Sequence, residues 1–526
     1  MKRRDFLLAG TGFAAALATS RASPGQARKT RRAAPPKYYE SFSEPPVEYS
    51  RDGVLHTTLR VVEADVPIRE AAGLRVERTR CYNGSIPGTT LRLRPGEELR
   101  LRLVNELGPN RDAPCTKEHL NHPHCFNTTN LHTHGLHVSP KAPSDNSFLK
   151  IEPQTEYQYC FRLPESHPSG TFWYHGHVHG STGLQVMNGM AGALIVEDAK
   201  ERQLAPEAAD RVWMIQEILG KEAEKLYACE HAEAAYTVNG KFQPTLRLRP
   251  GEVQRWRFIN ATATPGGFVK LQLLNGDDVF EAMMLVAVDG YPLRRMERLT
   301  DYVLPPGGRA DFLVQLFKPG RYLMYKERYQ GRTGNQVLAV LEVAGKPLNM
   351  SLPQSLPPLT QFQNPILDSE LTGRRTIRFQ VCPEQARGET CKLYPNAKLC
   401  SGLKGNETVA SAFLIDGKPY DPERIDQTIK LGAVEEWEIV NETGAEHPFH
   451  IHVNHFQVVR AGVVPEDWRW QDTVSLPANG SVKIRSRFRT FTGRYLLHCH
   501  ILLHSDLGMM QNVEVTGEGI EPCQPS

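Results

Sequence analysis

Apolar and polar residues alternate in short runs along most of this chain. Leu91-Arg92-Leu93-Arg94 shows the pattern, and strict period two is that of a half-buried strand. Helical periodicity is scarce, so the chain is predicted to be all-β. The runs also repeat. Residues 83–106 (NGSIPGTTLRLRPGEELRLRLVNE) match residues 239–261 (NGKFQPTLRLRPGEVQRWRFINA), and 416–442 (DGKPYDPERIDQTIKLGAVEEWEIVNE) is a looser copy. Each reads turn pair, strand, Gly turn, strand, Asn.

A second landmark follows in every copy. It is Gly170-Thr171-Phe172-Trp173-Tyr174-His175-Gly176-His177, then Gly320-Arg321-Tyr322-Leu323-Met324-Tyr325-Lys326-Glu327, then Gly493-Arg494-Tyr495-Leu496-Leu497-His498-Cys499-His500. A spacing of roughly 150–180 residues is far too long for a solenoid repeat and fits whole β-sandwich domains. Three are expected, over 35–200, 201–350 and 351–526, with breaks near 198–210 and in the Pro-rich stretch Pro353–Pro365.

Composition narrows the class. The 526 residues carry 62 basic and 59 acidic side chains, 40% apolar and 23% charged residues, an ordinary globular balance that excludes general disorder. A net charge of +3 gives no nucleic-acid surface. Residues 1–34 stand apart: Lys2-Arg3-Arg4-Asp5-Phe6-Leu7 leads into a weakly apolar stretch ending at Ala18. Basic start, short apolar run and small residues are the layout of an export signal, and the paired arginines resemble the bacterial twin-arginine type. Its removal would take the net charge from +3 to −4. A soluble periplasmic or secreted protein without a membrane span is expected, most simply a monomer.

Ten of the 19 histidines fall into four motifs: His132-Thr133-His134, His175-Gly176-His177, His447-Pro448-Phe449-His450-Ile451-His452, and His498-Cys499-His500-Ile501-Leu502-Leu503-His504, with Met509 beyond. Residues i and i+2 of a strand share a face, so each His-x-His pair aims two imidazoles at one place. Two imidazoles, one thiolate and a distant thioether make a blue-copper ligand set, available from His447, His504, Cys499 and Met509. Cys499 would face one ion while His498 and His500 face others across the strand, joined to it by a short covalent path. The remaining eight histidines suffice for three coppers. The middle copy has Tyr325-Lys326-Glu327 instead and cannot ligate there.

These motifs, present in order over about residues 45–515, resemble those of the multicopper oxidases, the family of laccases, ascorbate oxidase, bilirubin oxidase and cuprous oxidases. The resemblance implies three cupredoxin-like Greek-key sandwiches and four coppers per chain. His132 and His450 would hold the type 2 ion. His134, His175, His177, His452, His498 and His500 would hold the type 3 pair, and His447, Cys499, His504 and Met509 the type 1 ion. It further implies electron transfer through Cys499, His498 and His500 and four-electron reduction of O2 to water. Asp145, in the loop where the family keeps an acid, is expected to donate protons. Many bacterial relatives carry Glu before the last type 1 histidine; here it is Leu503, with Asp506 the nearest acid. Asp472 resembles a family segment that supports the cluster indirectly.

The donor is expected to be a small phenol or aromatic amine, because the 11 methionines are scattered and form no Cu(I)-capturing insert. Oxidation of Cu(I) or Mn(II) is the alternative, and a copper-free structural relative is disfavoured by the complete ligand set. The donor is expected beside Glu446 and His447. An axial Met509 implies a lower potential than Leu or Phe there. His137, His179 and His455 fit either outer partners of the ligands or plain strand faces. His119, His122 and His124, between Cys115 and Cys125, fit a disulfide-tied loop better than a metal site. With Cys499 reserved, nine cysteines remain and at most four disulfides form. Cys115–Cys125 is the most local pairing, and a tie from Cys523 to the first domain resembles that of some laccases.

Overall fold

The computed structural model describes residues 40–70, 73–111, 120–121, 123–198, 207–220, 223, 235–327, 329, 336–381 and 413–524. Six sheets form three sandwiches. The first joins a sheet ordered Gly73–Tyr82, Val54–Glu70, Glu98–Asn105, Thr155–Arg162 to one ordered Val47–Tyr49, Gly88–Leu93, Ala191–Val196, Gly170–His175, His132–His134. The second (Ala209–Val343) and third (Gly373–Thr516) each pair a six-stranded sheet with a second sheet. The repeat is visible in the pairing. Val54–Glu70 runs parallel to Glu98–Asn105, as Ala209–Ile218 does to Val253–Ala261 and Gly373–Val381 to Val434–Asn441. These are cupredoxin-like sandwiches.

The turn pairs explain why the three copies look alike in sequence. Asn83-Gly84, Asn239-Gly240 and Asp416-Gly417 all have φ between 51° and 74°. Two successive positive φ values define the turn that matches strand twist, which Asn-Gly and Asp-Gly tolerate best. Alternation holds on the inner face, where Leu91 and Leu93 are buried. It fails on the outer face, because the next sandwich covers it: Arg92 pairs with Glu197 and with Asp210 (2.9 Å), and Asp210 also takes Arg257 (2.6 Å). Burial of those charges is tolerable because each is paired.

Module edges differ slightly from the expected ones. Residues 40–42, placed by sequence in the first module, run along the second: Phe42 N donates to Thr245 O (2.8 Å), and Phe42 packs on Trp213. Leu352 and Leu356 also stay with the second core. The sulfurs of Cys160 and Cys523 lie 1.97 Å apart, which ties the C-terminal tail to the first sandwich. Cys125 is also disulfide-bonded. Its expected partner Cys115, like Cys229, Cys382, Cys391 and Cys400, lies outside the described residues.

In the middle sandwich the strand position that Cys499 holds in the third is taken by a lysine. Lys326 pairs across the sheet with Leu271, as Cys499 does with Phe449. Its ammonium lies 3.8 Å from the centre of the Tyr236 ring. The Tyr236 hydroxyl donates to the buried Glu217. Burial pushes this amine down from 10.5 to about 8, although Glu217 opposes the shift. The folded chain therefore binds fewer protons than the unfolded one between those values, so stability rises as pH climbs from about 8 to about 10.5. Unfolding of Lys326→Met followed beside the parent should lack this slope, the difference growing by up to about 3 kcal/mol. Parallel pH curves for the two proteins would contradict the assignment.

Candidate metal centres

Two strands and a short helix carry the third sandwich's candidate ligands to two faces. His447–Ile451 pairs with Gly493–Cys499 so that His450 lies opposite His498 and Phe449 opposite Cys499. The strand ends at Cys499 and a short helix, Leu502–Asp506, carries His504 back. In that compact turn His447 Nδ1 and His504 Nδ1 lie 3.3 Å apart and 3.5 and 3.8 Å from Cys499 Sγ. A metal ion held at roughly 2.0–2.3 Å from such atoms spaces them roughly 3.3–3.8 Å apart at tetrahedral to trigonal angles. The residues fit an ion. Thr443 Oγ1 meets the other ring nitrogen of His447 at 2.8 Å and so fixes which atom faces the thiolate. Met509 is buried in the same core, its carbonyl accepting from Cys499 N (3.1 Å).

The eight other histidines converge where the first and third sandwiches meet. His177 Nε2 and His452 Nε2 lie 3.1 and 3.3 Å from His498 Nε2, and His134 Nδ1 lies 3.2 Å from His500 Nε2. The inward nitrogens of His132, His175 and His450 are buried without a hydrogen-bond partner, an arrangement that a protein interior avoids unless something else binds them. Ligand atoms of His132, His134 and His175 gather within 4.8 Å, as do those of His132, His450 and His452, and of His177, His452 and His498.

Outer partners fix most rings by the opposite nitrogen. His132 Nδ1 faces both oxygens of Asp145 at 3.0 Å, His175 Nδ1 Gly176 O (2.8 Å), His450 Nδ1 Asp472 O (2.9 Å), His452 Nδ1 Ser147 Oγ (3.2 Å) and His498 Nδ1 Cys499 O (3.0 Å). Burial, reinforced by neighbouring rings, holds His132, His134, His177, His452, His498 and His500 well below the ordinary imidazole value. Neutral imidazole is the form that ligates metal. Asp145 is buried too, which pushes its carboxyl up to about 7 although Thr133 Oγ1 donates to it at 2.9 Å. It reaches the cluster through the His132 ring, one step further back than expected of a direct donor.

Several residues fall elsewhere than the sequence suggests. His447 is 1% and Glu446 6% exposed, so neither offers the open edge expected there; Tyr329 of the middle sandwich donates to Glu446 (2.9 Å). Asp506 accepts from Gly180 N and Gly183 N, both at 2.8 Å, which anchors the helix Thr182–Asn188. His137 and His455 each cross between sandwiches to a carbonyl beside a ligand pair, Val453 O and Gly135 O. His179 meets Asn121 (3.0 Å). His124 is buried, and His119 and His122 lie outside the described residues.

Three cupredoxin-like sandwiches, with a thiolate site in the third and a histidine cluster shared with the first, define a class of copper redox proteins. Two family models, each described as multicopper oxidase, match residues 119–201 and 394–518. A multicopper oxidase of Staphylococcus aureus is 29% identical over 83% of both chains. A laccase of Bacillus subtilis is 25% identical over 83% of this chain and 90% of its own. The solved laccase of Pediococcus acidilactici superposes with a TM-score of 0.71 at 23% identity, covering 92% of this chain and 95% of its own. The family models and these relatives together support a laccase-like bacterial multicopper oxidase. It is an oxidoreductase that uses copper and couples oxidation of a small-molecule substrate to reduction of O2. No described helix is long and apolar enough to cross a membrane.

Proposed function

We propose that the protein is a laccase-like oxidase of phenols and aromatic amines that uses four coppers. One would be held by His447, Cys499, His504 and Met509. Three would be held by the eight clustered histidines, His132 and His450 on the type 2 ion and the other six on the type 3 pair. Bound copper supplies one-electron chemistry at the first site and O2 reduction at the second, consuming four electrons and four protons for each pair of waters. The observation that carries the reading is the placement of Cys499. Its sulfur joins His447 and His504, while its chain neighbours His498 and His500 turn to the other cluster.

The protein's own groups have distinct tasks. The strand peptide from Cys499 to His498 links the two sites covalently. Asp145 keeps His132 protonated at Nδ1 and is the carboxyl that supplies protons on that side. With Leu503 in place of an acid and Asp506 engaged in anchoring a helix, proton supply rests on the Asp145 side. We also infer from the sequence of residues 1–34 that the chain is exported, periplasmic or secreted.

A donor panel tests the substrate class. Phenols and aromatic amines are expected to give saturable oxidation with one O2 consumed for every four donors. Saturation by Cu(I) or Mn(II), with phenols inert, would overturn the organic-donor reading in favour of a metallo-oxidase.

A further inference from the structure

Arg309 comes from the sandwich that contributes no ligand, yet its fully buried guanidinium touches all three modules. It donates to Thr171 O (3.2 Å) in the first and to Gly307 O and Asp289 O (both 3.1 Å) in its own. In the third it forks onto Asp472, with Nη1 to Oδ1 at 2.7 Å and Nη2 to Oδ2. Behind it, Asp289 accepts from Arg309 N (2.8 Å) and from the backbone N–H groups of Asp472 (3.3 Å) and Thr473 (3.1 Å). Asp472 Oδ1 then lies 3.1 Å from His134 Nε2.

The consequence is visible in the His134 ring. Most of the eight clustered rings turn Nε2 toward their neighbours, whereas His134 turns Nδ1 toward His500, because its Nε2 is occupied by Asp472. Glycines make room for this. A Cβ on Gly135 (φ +88°) would meet Arg309 Nη2 at 2.4 Å and Asp472 Oδ2 at 2.7 Å, and one on Gly307 would meet the His500 ring at 2.7 Å. The Arg309 fork holds both carboxylate oxygens of Asp472, and Oδ1 of the same group holds His134, so the orientation of that ring depends on the fork.

We propose that Arg309, backed by Asp289, is a positioning residue of the histidine cluster: from the ligand-free sandwich it fixes Asp472 and thereby sets His134 with Nδ1 facing His500. The proposal rests on the reading that the eight histidines hold copper.

The test uses the copper-loaded full chain and the variants Arg309→Met, Arg309→Lys and Asp472→Asn, read by copper per chain, by the thiolate charge-transfer band and by the magnetic signature of the coupled pair. Arg309→Met should keep the thiolate band but lose cluster copper or the coupling of the pair. O2 turnover should fall on the order of 10–100-fold, the scale for loss of an outer partner of a metal ligand. Arg309→Lys should restore part of the signature, since one ammonium neutralises Asp472 without bridging three modules. The Arg309→Met/Asp472→Asn double variant should be no worse than the worse single one, because the pair acts as a unit.

Wild-type copper content and pair signature in Arg309→Met would overturn the proposal. If that variant does not fold, the same wild-type result in Asp472→Asn overturns it. A parent protein that binds thiolate-site copper but shows no cluster copper would instead overturn the underlying reading, and this proposal with it.

Discussion

Cys499→Ser is expected to remove the thiolate charge-transfer band, one copper per chain and donor-driven O2 consumption. The loss should exceed about a thousandfold, roughly 4 kcal/mol of barrier. Serine is nearly the same size, and the backbone bond from Cys499 N to Met509 O does not need the sulfur, so the fold should persist. What disappears is the one soft, anionic ligand of the set. Visible spectroscopy with metal analysis and an oxygen electrode checks all three effects. A variant that still oxidised phenols at the parent's rate would show that electrons enter the cluster by another way.

Asp145→Asn carries the second large effect. Its carboxylate oxygens both face His132 Nδ1 at 3.0 Å, and Oδ2 also accepts from Thr133 Oγ1. An amide in their place cannot release a proton and presents its own N–H groups to the ring. Turnover with O2 should fall roughly 100-fold, within the range for a positioned acid–base group. Anaerobic bleaching of the thiolate band by donor should proceed as in the parent, since that site lies across the strand. Stopped-flow reduction beside steady-state turnover separates the two. Equal loss in both would place Asp145 outside the O2 half of the cycle.

Much of this architecture was legible in the sequence because its signals are local. The Asn-Gly and Asp-Gly turns, the period-two runs and the His-x-His pairs each rest on geometry spanning a few residues, and three copies of one module made them recognisable. The convergence of the paired histidines on strands followed directly. His504 was found by motif, but its short helix Leu502–Asp506 was not visible, since five residues show no helical period.

What stayed hidden is long-range. Arg309 and Asp472 are 163 residues apart and Asp472 and His134 338 apart, and nothing near Arg309 in the chain marks it. The hydrogen bond from Tyr329 to Glu446 was missed for the same reason, because Tyr329 belongs to another module. Arg92 looked like an ordinary outward polar position until the second sandwich supplied Asp210.

The central claim is that one chain holds a thiolate copper and a separate three-copper cluster joined through Cys499. Metal analysis of the purified, fully oxidised protein, with its visible and magnetic spectra, tests it most directly. About four coppers per chain are expected, with an intense thiolate charge-transfer band and one further mononuclear signal beside a magnetically silent pair. One copper or fewer per chain, or full copper without the thiolate band, would contradict it.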